Sequence, residues 1–289
     1  MAQVVGCIGC THVPAIGGAI ARGLQQEPYW RPFFDGFPPA HAWLDKVKPD
    51  AAVVIYNDHG LNFFLNNLPT FAVGAAESYR NEDEGWGIPS LGSFAGDAAL
   101  SWHIIEQLVA DEIDPATCQE MLVDHAFTLP LKLLWPDTPL PVRVVPVTMN
   151  NVQHPMPSPR RCFKLGRSIG RAIASYPQDL RVVVIATGGL SHQLDGQRAG
   201  FINQAFDREC IEKLEHDPEA LTRYSVQDLV EKAGTQGVEV MAWIAARATM
   251  PGKVTKIHCN YHIPISNTAS GLLVLESQDI AAPRRSAAA

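Results

Sequence analysis

The chain has 289 residues, of which 46% are apolar and 18% are charged, and this composition is typical of a globular protein with a substantial core. Lysine and arginine number 23 against 30 acidic residues, which gives a formal net charge of −7 and no basic run for binding nucleic acid. The N-terminus lacks a basic region followed by an apolar one, and no apolar run approaches the ~20 residues of a membrane span. We therefore expect neither a signal peptide nor a membrane segment.

The six cysteines, at positions 7, 10, 118, 162, 210 and 259, show no spacing typical of a disulfide framework. Their scatter favours a reducing compartment, so we expect a cytoplasmic protein. Cys7 and Cys10 match the C-x-x-C pattern of redox and zinc sites. Because they fall inside an apolar, strand-like segment without a second pair, we predict that they are small buried thiols.

Buried strands alternate with amphipathic helices along the chain. Strands are predicted over 4–9, 51–56, 70–74, 142–147, 180–186 and 271–275. Helices are predicted around Trp43 and Leu44 and over 95–112, 160–174, 203–216, 218–231 and 238–249, with a surface loop over 81–93. Several strands are apolar on both faces, so helices should cover both sides of a mostly parallel or mixed sheet. We predict a single-domain α/β/α sandwich over 1–280 and a disordered tail at 281–289.

Three of the ten histidines follow predicted strands: His12 after the first, His59 after the second and His192 after 180–186. Ligands of open α/β sheets bind beyond the carboxyl ends of the strands. A single histidine is usually an ordinary polar residue, but three at equivalent strand ends favour a shared site. Two neutral imidazoles with one carboxylate suit a divalent metal, either non-haem iron(II) or zinc.

Glu239 is the candidate for the carboxylate, because it opens an otherwise apolar helix and needs a partner that stabilises its ionised form. It could equally be a carboxylate that interacts with the helix dipole after Gly237. The chain contains no H-E-x-x-H motif, which disfavours a zinc protease, and neither a P-loop nor G-x-S-x-G. His125 could cap a helix, and the pair 266–267 could simply form a turn.

Seven motifs occur in a recognisable order: THVPA at 11–15, YNDH at 56–59, DEGWG at 83–87, DH at 124–125, TGGLSHQ at 187–193, GVE at 237–239 and IPISNT at 263–268. On these motifs the chain resembles the class III extradiol ring-cleavage dioxygenases, the family of the catalytic β subunit of protocatechuate 4,5-dioxygenase. The likeness runs from residue 1 to about residue 277.

The resemblance implies an α/β/α sandwich and an Fe(II) cofactor bound by His12, His59 and Glu239. It implies that His192 is the acid/base histidine and that His125 assists at the substrate hydroxyls. It also implies contacts to the substrate carboxylate from two further residues, Ser266 and Asn267. The implied reaction is extradiol (meta) cleavage of a carboxylated catechol by O₂, with protocatechuate giving 4-carboxy-2-hydroxymuconate semialdehyde.

The chain departs from the family pattern in two respects. The family enzyme has a small α subunit that covers the site, and the chain contains no such segment, so a separate small partner in an α₂β₂ assembly is expected. Residues 60–67 differ from the protocatechuate pattern and should line or flank the ring pocket, which leaves gallate and 3-O-methylgallate as alternative substrates. Asp58 should form a turn or support His59. A zinc-dependent hydrolase and a non-catalytic binding protein are the competing hypotheses.

Overall fold

The computed structural model describes residues 1–88, 90, 92–137, 139–151 and 153–279. Within them, the strands are β1 (Gln3–Cys10), β2 (Ala51–Tyr56), β3 (Phe71–Gly74), β4 (Ser78–Asn81), β5 (Ser93–Ala95), β6 (Ala116–Cys118), β7 (Leu122–Val123), β8 (Arg143–Met149), β9 (Arg181–Thr187), β10 (Val254–Ile265) and β11 (Thr268–Ser277). The helices are α1 (Pro14–Ala21), α2 (Arg31–Phe34), α3 (Pro38–Val47), α4 (Ala98–Ala110), α5 (His125–Leu134), α6 (Pro159–Ser175), α7 (Gln204–His216), α8 (Val226–Ala233) and α9 (Val240–Ala248).

Eight strands form one mixed sheet in the order β10-β11-β1-β9-β2-β8-β3-β6. The central strands β1, β9, β2 and β8 are parallel, and β11 and β3 join them in antiparallel fashion on either side. Strands β5, β4 and β7 form a separate small sheet. All four central strands therefore end at one edge of the sheet, which is called the carboxyl edge below.

Side chains of β2 alternate between two cores, one on each face of the sheet. Val53 and Ile55 pack in the core that includes α4, α6 and α9, whereas Val54 and Tyr56 pack in the core that includes α1, α3 and α5. Helices thus cover both faces of a mixed sheet. The predicted α/β/α sandwich is confirmed.

Two predicted helices need correction, and strand β10 is among the elements that were not predicted. Strand β10 was missed because it lies at the edge of the sheet and mixes polar and apolar residues. The helix predicted over 218–231 is a 3₁₀ turn, Pro218–Arg223, followed by α8, because Ser225 and Asp228 form a capping box that starts a new helix. The helix predicted over 95–112 begins at Ala98, where Asp97 caps it after β5.

Cys7 and Cys10 are buried in β1, as predicted, and burial raises the pKa of the Cys7 thiol to about 12. The tail predicted at 281–289 lies outside the described residues, so the boundary at residue 280 stays a prediction. In the part of the chain that the structure describes, every helix is too short or too polar to cross a bilayer.

Candidate active site

The three histidines selected from the sequence do converge at the carboxyl edge. His12 lies two residues beyond β1, His59 three beyond β2 and His192 five beyond β9. His12 and His192 are buried, whereas the side chain of His59 is 27% exposed. All three line one cavity, as the strand-end argument expected, and their shared function stays a prediction.

His12 and His59 each contact the protein through Nδ1 and present Nε2 to the site. His12 Nδ1 lies 3.1 Å from Thr187 Oγ1, and His59 Nδ1 donates to Asp124 Oδ2 over 3.0 Å. The same Asp124 oxygen accepts the backbone N–H of His59 at 2.9 Å, which fixes the residue twice. An outer hydrogen bond of this kind orients an imidazole that binds a metal through its other nitrogen.

Asp124 also changes the ionisation of His59. Burial lowers the pKa of His59, but the hydrogen bond and charge of Asp124, with the charges of Glu239 and Glu84, outweigh it and raise the pKa to about 9. The pKa of Asp124 is lowered in return, because its bonds to His59 overcome the effect of burial. The site is thus rich in negative charge and favours a cation.

Glu239 is buried directly before α9 and faces the imidazoles. Its Oε1 lies 3.4 Å from His12 Nε2, while Oε2 accepts the Gly189 N–H at 2.8 Å and lies 3.8 Å from His192 Nε2. Burial raises the pKa of a carboxyl, but His12, His192 and His59 more than offset burial and hold the pKa of Glu239 well below its usual range. Because the side chain makes no capping hydrogen bond to α9, the contacts favour a site carboxylate over a simple helix-end residue.

The side-chain amide of Asn57 lies between Glu239 and His59. Its Nδ2 donates to Glu239 Oε1 at 3.2 Å and lies 3.1 Å from His59 Nε2. Its Oδ1 is buried without a hydrogen-bond partner among the described residues. The ring nitrogens of His12 and His59 and the carboxylate of Glu239 therefore lie close together beside a buried oxygen that has no hydrogen bond among the described residues. Two imidazoles and one carboxylate fit a divalent metal.

His125 lies against His59, with ring centroids 4.3 Å apart, and its backbone N–H and Nδ1 both donate to Glu84. Burial lowers the pKa of His125, and the neighbouring His59 and His12 lower it further against the opposing effect of Glu84. Ligand atoms of His12, His59 and His125 lie within 4.8 Å of one another, so His125 is a geometric alternative to Glu239 as a third ligand.

His192 has a defined tautomer when neutral. Its Nδ1 lies 3.2 Å from Leu190 O, and because a carbonyl only accepts, Nδ1 carries the proton and Nε2 the lone pair. The preceding residue is fixed by Asp207, which accepts the Ser191 N–H at 2.8 Å and the Ser191 hydroxyl at 2.6 Å. The basic nitrogen therefore points into the site from an anchored loop.

The cavity has a volume of about 780 Å³. Much of its wall is apolar, which is typical of a small-molecule site with a few directing polar groups. The apolar lining includes Val13, Pro14, Ala15, Trp86, Met156, Leu194 and Val230.

Most predicted site residues line this cavity, namely His12, His59, His125, His192, Glu239 and Ser266. Asn267, the other residue of the β10–β11 turn, is not among the lining residues, and its side chain lies near Gly200. Ser266 itself has a positive φ of 52° at this turn.

Asp58 was predicted to form a turn or to support His59. It forms a turn, because its carboxylate accepts backbone N–H groups of Gly60, Asn62 and Phe63. None of the residues described as lining the cavity falls in 60–67, so this segment flanks His59 without forming the wall.

Sequence reasoning missed Arg22 and Asn151, which also line the cavity, and gave no role to Trp86. Trp86 and Glu84 come from the loop predicted as a surface excursion. Asn151 follows β8 at the carboxyl edge, so the strand-end rule that selected the histidines could have found it.

Residues 6–271 match the family described as the catalytic LigB subunit of aromatic ring-opening dioxygenase. The chain belongs to this family. Gallate dioxygenase of Pseudomonas putida is 41% identical over 202 residues, which cover 70% of this chain and 59% of that protein. The resemblance to the ring-cleavage dioxygenases is therefore confirmed, whereas the protocatechuate type is not distinguished from others in the family.

Two further relatives of the chain are 2,3-dihydroxyphenylpropionate/2,3-dihydroxicinnamic acid 1,2-dioxygenases. The one from Paraburkholderia xenovorans is 34% identical over 158 residues, 53% of this chain and 46% of that protein. The one from Rhodococcus jostii is 27% identical over 258 residues, 74% and 80% of the two chains. The chain thus spans 59% and 46% of the length of the P. putida and P. xenovorans proteins.

The fold of this LigB-family chain is also similar to a solved structure. An uncharacterized protein from Escherichia coli K12 superposes with a TM-score of 0.54 at 13% identity, over 94% of this chain and 99% of that one. At this identity the similarity supports the fold alone.

Proposed function

We propose that the chain is a non-haem iron(II) dioxygenase that cleaves the ring of a carboxylated catechol in extradiol fashion with O₂. The observation that carries this proposal is the convergence of three groups: Nε2 of His12, Nε2 of His59 and the buried carboxylate of Glu239. Two histidines and one carboxylate with open positions are typical of non-haem iron(II) oxygenases. Membership of the ring-opening dioxygenase family supports the same chemistry.

Iron(II) held by His12, His59 and Glu239 would supply the redox chemistry that joins a catechol to O₂. The remaining tasks fall to the protein. The Nε2 lone pair of His192 can accept a proton from a catechol hydroxyl and return it later, as expected of a general acid/base. His125 has a lowered pKa and is neutral near pH 7, so it can hydrogen-bond the substrate hydroxyls without adding charge.

A carboxylate on the ring is supported by Arg22, which lies directly after α1. Its Nε donates to Gly18 O at 3.0 Å, so the guanidinium lies back along the helix. Ala15, Gly18 and Arg22 recur at i, i+3 and i+7 and all line the cavity, so two small residues leave space beside a cation. Among the described lining residues, Arg22 has the only permanently positive side chain.

Protocatechuate is the first substrate candidate, giving 4-carboxy-2-hydroxymuconate semialdehyde, with Ser266 and Asn267 as further carboxylate contacts. Gallate is the second candidate, favoured by the 41% identity to a gallate dioxygenase, and 3-O-methylgallate is a third. All six cysteines are free, which supports the proposed cytoplasmic location.

A separate small subunit that covers the cavity, in an α₂β₂ assembly, is the proposed partner. Trp86 and Leu194 line the cavity and are nevertheless 59% and 54% exposed. Exposed apolar side chains around an opening are typical of a surface that another protein covers.

The test is oxygen uptake after anaerobic purification and loading with iron(II). We expect uptake with protocatechuate, gallate or 3-O-methylgallate, a yellow ring-cleavage product, and slower turnover of the neutral analogue 3,4-dihydroxybenzamide. The assay is run with and without a co-expressed small subunit. Absence of uptake with all three acids in both arms would contradict the proposal, and zinc-dependent hydrolysis without oxygen consumption would replace it.

A further inference from the structure

Asn151 is a cavity residue whose amide has no hydrogen-bond partner among the described residues. It is 3% exposed, and both Nδ2 and Oδ1 are buried. Burying an amide without a hydrogen bond opposes folding, so such a group in a native protein calls for a partner that arrives later. Of the other two side-chain amides among the described lining residues, Asn57 already donates to Glu239 and Gln236 accepts the Leu194 N–H. Asn151 is therefore the amide of the three that has no hydrogen bond among the described residues.

The sheet register brings Asn151 next to the proposed metal centre. Tyr56 of β2 pairs with Thr148 of β8, and His59 and Asn151 each lie three residues beyond that pair. Neighbouring strands are about 4.8 Å apart, so the two segments leave the carboxyl edge side by side. Both residues line the same cavity.

The backbone around Asn151 is held by its neighbour Asn150. The Asn150 Nδ2 donates to Gln153 O at 2.8 Å and to Pro155 O at 3.3 Å, and its Oδ1 accepts the Gln153 N–H at 3.0 Å. The Asn150 N–H donates to Thr70 O at 3.0 Å. These bonds anchor the backbone at the start of the loop, so Asn151 is held beside the cavity that it lines.

We propose that Asn151 binds a third hydroxyl on the substrate ring and so favours a trihydroxylated, carboxylated ring over a dihydroxylated one. The inference rests on the proposed function and deepens it. A primary amide offers both donors and an acceptor, and a phenolic hydroxyl can accept from Nδ2 or donate to Oδ1. A ring hydrogen at that position can do neither and leaves the buried amide unpaired, which is how a polar pocket rejects an analogue that lacks a hydroxyl.

The test compares Asn151→Val with the control Asn260→Val, the same change at a partly buried position of β10 outside the described cavity lining. The ratio of kcat/KM for gallate to that for protocatechuate should fall about tenfold in Asn151→Val, as for loss of one hydrogen bond. It should change less than about threefold in Asn260→Val. In Asn151→Val, the affinity for gallate measured under nitrogen should fall by the same factor, whereas the affinity for protocatechuate should not change. An unchanged ratio and unchanged binding in Asn151→Val would overturn the inference.

Thermal unfolding of the substrate-free protein gives a readout that does not depend on turnover. Because Asn151→Val removes a buried amide without a partner, its Tm should equal that of the wild type or exceed it by about 2–4 °C. A Tm several degrees lower would show that the amide stabilises the fold and would overturn the inference. If the wild type turned over no catechol, the proposed function would fail. Gallate binding measured under nitrogen and the Tm values would still decide the role of Asn151.

Discussion

The carboxyl edge of the sheet and the contact between α4 and α6 differ in how completely their polar side chains are hydrogen-bonded. At the helix contact, Asp111 accepts hydrogen bonds from Ser168, Arg171 and Gln107 at 2.5, 2.6 and 3.0 Å. At the carboxyl edge, Asn57 Oδ1 and the whole Asn151 amide are buried without partners among the described residues. The bonded groups of the first region stabilise the fold, whereas the unpaired groups of the second oppose folding and are free for the proposed metal and substrate.

The largest effect expected at the carboxyl edge is that of Glu239→Gln. The change keeps the shape of the side chain but removes the negative charge that faces His12 and His192. Metal affinity should fall more than about 100-fold, beyond the loss caused by changing a group behind a ligand. Oxygen uptake should fall to background, and metal content per chain gives the direct measurement.

The control for this prediction is Glu212→Gln, an exposed position on α7. Metal content should be unchanged in this variant. If His125 completes the metal set instead of Glu239, Glu239→Gln will retain the metal and His125→Gln will lose it, which the 4.8 Å grouping of the histidines allows.

His192→Ala should separate catalysis from metal binding. The protein should keep its metal, because the proposed ligands are untouched, but turnover should fall about 10²–10⁴-fold through loss of proton transfer. The control is His103→Gln, where the imidazole lies on α4 and bonds Ser175 at the protein surface. Wild-type turnover by His192→Ala would contradict the acid/base assignment even if the iron site were correct.

The sequence predicted the parts of the site that local patterns encode. His12 and His59 lie within three residues of the ends of β1 and β2, so the direction of each strand determines the edge of the sheet at which the side chain lies. The parts that could not be predicted depend on contacts between distant segments, such as His59 with Asp124 and His125 with Glu84. Strand β10 was hidden for the same reason, because its pairing with β11, rather than an apolar run, defines it.

Asp124→Asn tests one of these distant contacts, and Asp97→Asn is its matched control. Both aspartates cap a helix, α5 and α4 respectively, and asparagine is also a good N-cap, so stability should change little in either variant. Only Asp124 holds His59 Nδ1. Metal affinity should therefore fall about 10–100-fold in Asp124→Asn and stay constant in Asp97→Asn. Equal metal affinities in the two variants would remove Asp124 from the metal site.

The smallest expected effect lies at the α4–α6 contact, where Asp111→Asn should change stability and leave metal binding intact. Hydrogen bonds from Ser168 and Arg171 lower the pKa of Asp111 from 3.8 to about 2. A depressed carboxyl pKa stabilises the fold above the unfolded pKa, and this stabilisation is lost as pH falls through the folded pKa. Since the side chain is 25% exposed, we expect a loss of only about 0.5–1 kcal/mol at pH 7.

Urea unfolding at pH 7, 4 and 2.5 should show the Asp111→Asn difference persisting at pH 7, still largely present at pH 4, and shrinking towards pH 2. A difference that stayed constant to pH 2 would mean that packing, not charge, is responsible. Asn151→Val should keep or raise Tm and weaken the selectivity for gallate. Asp111→Asn should lower the stability and leave the selectivity for gallate unchanged. A gain of stability in Asp111→Asn, or a loss in Asn151→Val, would end the contrast between a region that stabilises the fold and one that is kept ready for ligands.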